Sequence, residues 1–342
     1  MTMSYKALMS YKVTKCNMEC YVIMKKRNIK ALLQIVFTVV LLTYILLNSN
    51  IGNIIGYLSK APFYIWVALV LVSTFEVLVS AVRLHLFFPE YKFSVLLITR
   101  LIISTYAFVL PGQIAVEGVK AYMLGKDNKS YDKSGAAVFV DKVIGFIALL
   151  ALGVIGAILS AAELGMNMAF LFIGITIILV GALFLVNIAV FFNLVTVTCE
   201  KLEKKTGKFG AFFRFISGII KHWHEYANDR SLLIKNFIYG ILYQALIALS
   251  GAVICFGIGE GFNFLNWLWI NAILSAVLLI PISFGGIGVR EGTLIGLMTI
   301  IGIGREQALA VSFSLLGLSI AQALAGIPAK IYAAGRDFQT PQ

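Results

Sequence analysis

Two stretches of this 342-residue sequence set charged residues beside prolines and glycines in otherwise apolar surroundings. The first runs Leu110-Pro111-Gly112 and continues through Glu117 and Lys120; the second runs from Ile280 through Pro281, Ser283, Gly285, Gly286 and Gly288 to Arg290 and Glu291. Proline lacks an amide hydrogen and glycine tolerates backbone that other residues resist, so each stretch predicts an interrupted helix whose freed backbone groups need partners. Glu117 and Lys120 stand three apart and share a helical face, where they can pair or offer a cation to a ligand. The glycines of the second stretch feed a helix start whose unpaired amides, with Arg290 in its first turn, form an anion-binding arrangement. Gly288, Gly292 and Gly296 recur at every fourth position and predict a flat ridge for close approach of another helix. The chemistry these residues predict is the holding of a phosphate-like group by Lys120, Arg290, Ser283, Gly285, Gly286 and Gly288. Glu117, Asp141, Lys142 and Glu291 would balance charge or carry a coupling proton.

Glu76, Arg100, Asp141 and Lys142 also lie within apolar runs, where their simplest role is interhelical ion pairing that fixes a bundle. Asp141 and Lys142 are adjacent and diverge by about 100° on a helix, so they do not simply neutralise each other and one should reach another helix. Signatures of chemical catalysis are missing: the sequence has no P-loop, no HExxH and no GxSxG elbow. His222 and His224 stand two apart and do not share a helix face, and Cys16, Cys20, Cys199 and Cys255 have neither zinc-ligand nor redox spacing. The expectation is no metal, no cofactor and no enzymatic activity.

The elements that must position these residues are membrane helices. Apolar residues make up 60% of the chain and charged residues 13%, with a mean hydropathy of +0.93, whereas a soluble domain has roughly 45–50% and about 25%. Nine apolar segments run near residues 31–47, 62–82, 93–110, 134–161, 168–194, 234–257, 264–280, 287–304 and 307–327. The stretch 199–233 is polar and basic, and its middle carries apolar residues at helical spacing, which reads as an amphipathic surface helix. The formal charge of +12 comes from short clusters between apolar segments, a pattern that orients a chain in anionic lipid rather than binding nucleic acid.

The basic segment 1–30 and the linker 199–233 both belong in the cytoplasm by the positive-inside rule. Five full crossings between them would break that parity, so 93–110, with Arg100 and the Pro-Gly break, reads as re-entrant; 287–304 is short and reads as broken. The expected fold is an all-α polytopic bundle of about eight spans over 31–328, with one or two re-entrant or broken helices, followed by a short tail at 329–342. No cleaved signal peptide is expected, and Met24, which opens a Met-Lys-Lys-Arg flank, is an alternative start to Met1.

The two stretches resemble the transmembrane, flippase-like region of lysylphosphatidylglycerol synthases and the stand-alone membrane proteins that share it. From Leu279 to Leu316 the match to a P-x-S-x-G-G-x-G-x-R-E signature is residue for residue, at Pro281, Ser283, Gly285, Gly286, Gly288, Arg290 and Glu291. From Ile98 to Phe146 the sequence departs from the family. Ala115-Val116-Glu117 and Lys120 stand where a Gly-Gly-Asp run and an Arg are usual, and Asp141-Lys142 replaces Asp-Arg. Charge is kept, but lysine does not reproduce the planar fork of arginine. The resemblance spans most of 31–335 and implies a helical membrane domain associated with moving polar-headed lipids. The synthases' aminoacyl-transfer domain has no counterpart in the fourteen residues after Pro328, so synthesis of lysyl-lipid by this chain alone is not expected.

The functional expectation is a flippase-like transporter in the inner membrane, N-terminus cytoplasmic, for a phospholipid or a polyprenyl-phosphate-linked sugar used in envelope assembly. Two rival readings are a membrane-embedded transferase on such sugars, with Glu117 or Asp141 as base, and a non-catalytic subunit beside envelope-biosynthesis enzymes.

Overall fold

The computed structural model describes residues 33–110, 113–128, 130–166, 225–280 and 282–334, with isolated positions between 169 and 223. The expected N-terminal segment 1–30, most of the apolar segment 168–194, most of the linker 199–233 and the end of the tail lie outside the described residues, as do Pro111, Gly112 and Pro281.

Helices α1 (Leu33–Leu47) and α2 (Ile51–Lys60) are followed by α3 (Phe63–Phe87), α4 (Phe93–Val109), α5 (Gln113–Asn128) and α6 (Tyr131–Leu159). A single turn, α7 (Ala161–Leu164), precedes α8 (Arg230–Gly257), α9 (Phe264–Leu278), α10 (Val289–Ile300) and α11 (Arg305–Ala334). No strand occurs among the described residues. Four of the helices, α3, α6, α8 and α11, are long and apolar enough to cross a bilayer, or five spans if α1 and α2 count as one. The expected count of about eight is therefore not what these residues contain. Segment 168–194 is largely outside them, and 264–280 and 287–304 appear as helices of only 15 and 12 residues, about 22 and 18 Å long against a hydrocarbon core of about 30 Å.

The bend of 84° between α1 and α2 follows from the sequence Asn48-Ser49-Asn50. Asn48 Nδ2 and Ser49 Oγ donate back to the carbonyls of Tyr44 and Ile45 at 2.8 and 2.7 Å, closing α1. Asn50 Oδ1 then accepts from the amide of Asn53 at 3.1 Å and caps α2. The apolar run near 31–47 does not reach α2, which the sequence pattern alone does not mark.

Large apolar side chains at helical spacing stay exposed on the outer faces, among them Val67, Val70 and Leu71 on α3, Ile234 and Ile238 on α8, and Ile320, Leu324 and Ile331 on α11. Helices apolar on every face, with one face outward, present that face to lipid. Inside, close approach depends on absent side chains. A Cβ at Gly156 would sit 2.7 Å from the Leu265 carbonyl, so α6 and α9 meet backbone to backbone. Thr105 Oγ1 donates to the Ala323 carbonyl at 2.8 Å where α4 crosses α11. The ridge expected at Gly288, Gly292 and Gly296 does not pack this way. Gly292 and Gly296 have open space where a Cβ would stand, and only Gly288 backs onto Leu41. The small residues that bring helices together lie on α6, α8 and α11 instead.

Candidate functional site

The two interruptions read from the sequence come together in space. Helices α4 and α5, of 17 and 16 residues, are each about 24–26 Å long and do not cross a bilayer unaided. The end of α4 at Ala107 and Leu110 and the segment joining α9 to α10, from Leu278 to Gly286, line one cavity of about 350 Å³ inside the bundle. Gly285 and Gly286 turn the chain here with φ of 62° and 76°, values that side-chain-bearing residues rarely adopt.

At one wall of the cavity is a network centred on Asp141. Asp141 Oδ1 accepts from Arg83 Nη2 at 2.6 Å, and Oδ2 accepts from Lys120 Nζ at 3.2 Å. Lys120 also reaches Glu117 Oε2 at 3.3 Å, and Glu117 Oε1 pairs with Lys142 Nζ at 3.4 Å. Lys142 Nζ donates further to Gln113 Oε1 at 3.1 Å. The divergence of Asp141 and Lys142 around α6 thus sends both to other helices: Asp141 to α3 and α5, Lys142 to α5. Arg83, buried on α3, is held by three acceptors, because its Nε donates to Asn236 Oδ1 at 2.9 Å and its Nη2 also reaches the Asp141 carbonyl at 2.8 Å.

Arg83 fits because α6 and α8 cross without side chains between them. A Cβ on Gly240 would lie 3.2 Å from Ala148 Cβ, and one on Gly145 would lie 2.9 Å from Arg83 Nη2. Gly145→Ala is expected to displace the guanidinium and lower stability by about 1–3 kcal/mol through overpacking, read as a lower unfolding temperature in detergent. An unchanged unfolding temperature would show that Arg83 has room to move.

Two further cations line the cavity with no acid within ion-pair distance among the described residues. Arg100 donates to two hydroxyls, Ser80 Oγ at 2.9 Å from Nε and Ser104 Oγ at 2.7 Å from Nη1. Arg290 lines the same cavity, and its Nη1 is buried without a hydrogen-bond partner among the described residues. Neutral polar groups line it as well: Gln244 Oε1 accepts from Asn271 Nδ2 at 3.2 Å, Ser275 Oγ donates to Asn271 Oδ1 at 3.3 Å, and the Tyr243 ring centroid lies 5.8 Å from the Arg83 guanidinium carbon. Five basic side chains, Arg83, Arg100, Lys120, Lys142 and Arg290, thus line the cavity against two acidic ones, Glu117 and Asp141.

Of the residues singled out from sequence, Glu117, Lys120, Asp141, Lys142, Ser283, Gly285, Gly286 and Arg290 all line this cavity. Gly288 and Glu291 do not. Glu291 is fully buried, with Oε2 accepting from the Gly288 amide at 2.5 Å and Oε1 from Ser312 Oγ at 2.9 Å. It forms half of a capping box at the start of α10, the other half being impossible because glycine has no side chain. The helix-start amide expected to meet an anion at Gly288 is therefore occupied by a carboxylate of its own chain. Arg83, Tyr243, Gln244 and Ser275 were not foreseen. A readable trace of Arg83 was the polar stripe Glu76, Ser80, Arg83, spaced four and three residues apart on one face of α3. Among the described residues, no group of three His, Cys, Asp or Glu side chains could hold a metal ion.

Long apolar helices enclosing a charged cavity define a multi-pass helical membrane protein. Residues 31–326 match the family described as the lysylphosphatidylglycerol synthase TM region, and the chain belongs to that family. That family is one of membrane proteins tied to lipid or envelope synthesis. No curated protein and no solved structure matches the chain.

Proposed function

We propose that this protein is a flippase-like transporter that carries the head of an anionic lipid, a phospholipid or a polyprenyl-phosphate-linked sugar, through the cavity. The observation that carries the reading is the pair of arginines, Arg100 and Arg290, that line a membrane-embedded cavity with no acid within ion-pair distance among the described residues. A cation held in low dielectric needs an opposite charge or a strong acceptor, and a phosphate presents both in a geometry that guanidinium forks match. The cavity volume of about 350 Å³ is at the small end of the ligand-site range of about 300–1,000 Å³, enough for a polar head while acyl chains remain in lipid. In this reading the protein moves its lipid and makes no bond. In the same reading it would lie in the cytoplasmic membrane with its N-terminus inside, serving envelope-biosynthesis enzymes.

The test is translocation in reconstituted vesicles, comparing head-labelled phosphatidylglycerol with phosphatidylcholine. Loss of charge-assisted hydrogen bonds worth about 1.5–3 kcal/mol corresponds to roughly 10–100-fold, so the anionic lipid is expected to move at least about tenfold faster than the zwitterionic one. Equal rates for the two would overturn the proposal.

A further inference from the structure

Glu76 stands apart from the other membrane-embedded carboxylates. Glu117 is paired with Lys120 and Lys142, and Asp141 with Arg83 and Lys120. Glu291 is fixed by a backbone amide, which only donates and so favours the ionised form. Glu76, 8% exposed on α3, has no cation within ion-pair distance among the described residues, and accepts a hydrogen bond from Ser250 Oγ of α8 at 2.8 Å. A hydroxyl both donates and accepts, so Ser250 can serve either protonation state of Glu76 by rotating.

The charged group that acts on Glu76 is Arg100 of the cavity. Ser80, one helical turn along α3 from Glu76, accepts from Arg100 Nε at 2.9 Å, which brings the guanidinium beside the stripe that carries Glu76. The remaining groups around this stripe are Gln322 of α11, which bears on the Glu76 carboxyl and whose Nε2 donates to Ser73 Oγ of α3 at 2.8 Å, and, one turn further along from Ser80, Arg83, which is engaged by Asp141 of α6 and Asn236 of α8. Arg100 therefore both lines the cavity and acts electrostatically on the Glu76 carboxyl.

The geometry points to Glu76 as a proton site coupled to the anion site: an anionic head group bound at Arg100 and protonation of Glu76 promote one another. This rests on the reading of the cavity as a site for anionic lipid heads. An ionised Glu76 already balances Arg100 and repels a second negative charge, whereas a protonated Glu76 leaves the guanidinium to the ligand. Binding of an anion then takes up a proton from the medium at Glu76. By linkage, affinity is constant below the pH at which Glu76 ionises in the free protein and falls above it, by up to about tenfold per pH unit.

The experiment uses the purified full-length protein in detergent and dioctanoyl phosphatidylglycerol as probe, with the dissociation constant measured across pH and proton uptake followed by an indicator dye in weak buffer. Wild type is expected to take up about one proton per lipid on the alkaline side of the transition. Glu76→Gln is expected to hold its acid-state affinity at every pH and take up none. Ser250→Ala, which keeps the titrating group but removes its partner, is expected to move the transition without abolishing uptake. Lipid binding without proton uptake in wild type, uptake that persists in Glu76→Gln, or an unmoved transition in Ser250→Ala would each overturn the coupling and leave the transport reading standing. Failure of wild type to bind the probe at any pH would remove both.

Discussion

Arg83→Ala is expected to destabilise the protein by about 3–5 kcal/mol, the range for removing one partner of a buried ion pair. The reason is Asp141. Its carboxylate is almost fully buried and relies on Arg83 for its shortest contact, 2.6 Å, with Lys120 supplying a longer one at 3.2 Å that is shared with Glu117. Truncating Arg83 leaves Asp141 short of a cation, strands the acceptor of Asn236 and opens a void between Gly145 and Gly240. Arg83→Ala combined with Asp141→Ala removes both members of the pair and is expected to recover part of the loss. Lys120 then keeps Glu117 as its counter-ion. Thermal unfolding of the purified variants in detergent reads the effect. An unfolding temperature for Arg83→Ala equal to that of wild type would show that the network contributes nothing to the fold.

Arg290→Ala should do the reverse, leaving stability intact while weakening anionic-lipid transport by roughly 10–100-fold, as expected for one lost charge-assisted interaction. Both acids that could have made Arg290 a structural partner are engaged elsewhere, Asp141 with Arg83 and Lys120 and Glu291 with Gly288 and Ser312. Removing a cation whose Nη1 is buried without a partner among the described residues relieves desolvation rather than exposing an orphan. Arg290→Lys keeps the charge and loses the fork, so its transport should lie between those of wild type and alanine. Vesicle translocation together with thermal unfolding separates the outcomes. Full transport by Arg290→Ala would exclude a role in holding the head group, and a large fall in unfolding temperature would restore the structural reading.

The contrast between these two arginines marks how far the sequence could be read. Arg290 was conspicuous because it follows Pro281 and three glycines, signals that act locally along the chain. Arg83 was not, because it falls at the edge of an apolar run in Val82-Arg83-Leu84-His85, where a cation reads as an interfacial flank. Its importance comes from Asp141 and Asn236, far away in the chain, and no spacing rule connects residues on three helices. The long apolar helices and the two interruptions were legible for the same local reason. Glu291 shows the limit from the other side. Its place after a glycine-rich break suggested a cavity residue, yet the third position of a helix also suits a carboxylate that caps its own chain, and the choice between them depends on Ser312 of α11. The ridge at Gly288, Gly292 and Gly296 failed similarly, since a pattern of small residues permits close packing without supplying the helix that packs.

Among the described residues, the cavity's ion pairs are confined to α3, α5 and α6. Arg100 and Arg290 belong to α4 and α10, and α4 and α10 both lean on α11, through Thr105 with Ala323 and through Glu291 with Ser312. Where α4 and α11 meet α3, the crossing hydrogen bonds include Arg100 to Ser80 and Gln322 to Ser73, each worth about 0.5–3 kcal/mol. Among the described residues that boundary is crossed by hydrogen bonds and apolar packing but by no ion pair, so the charged network and the two remaining arginines of the cavity are held by different helices around one shared core.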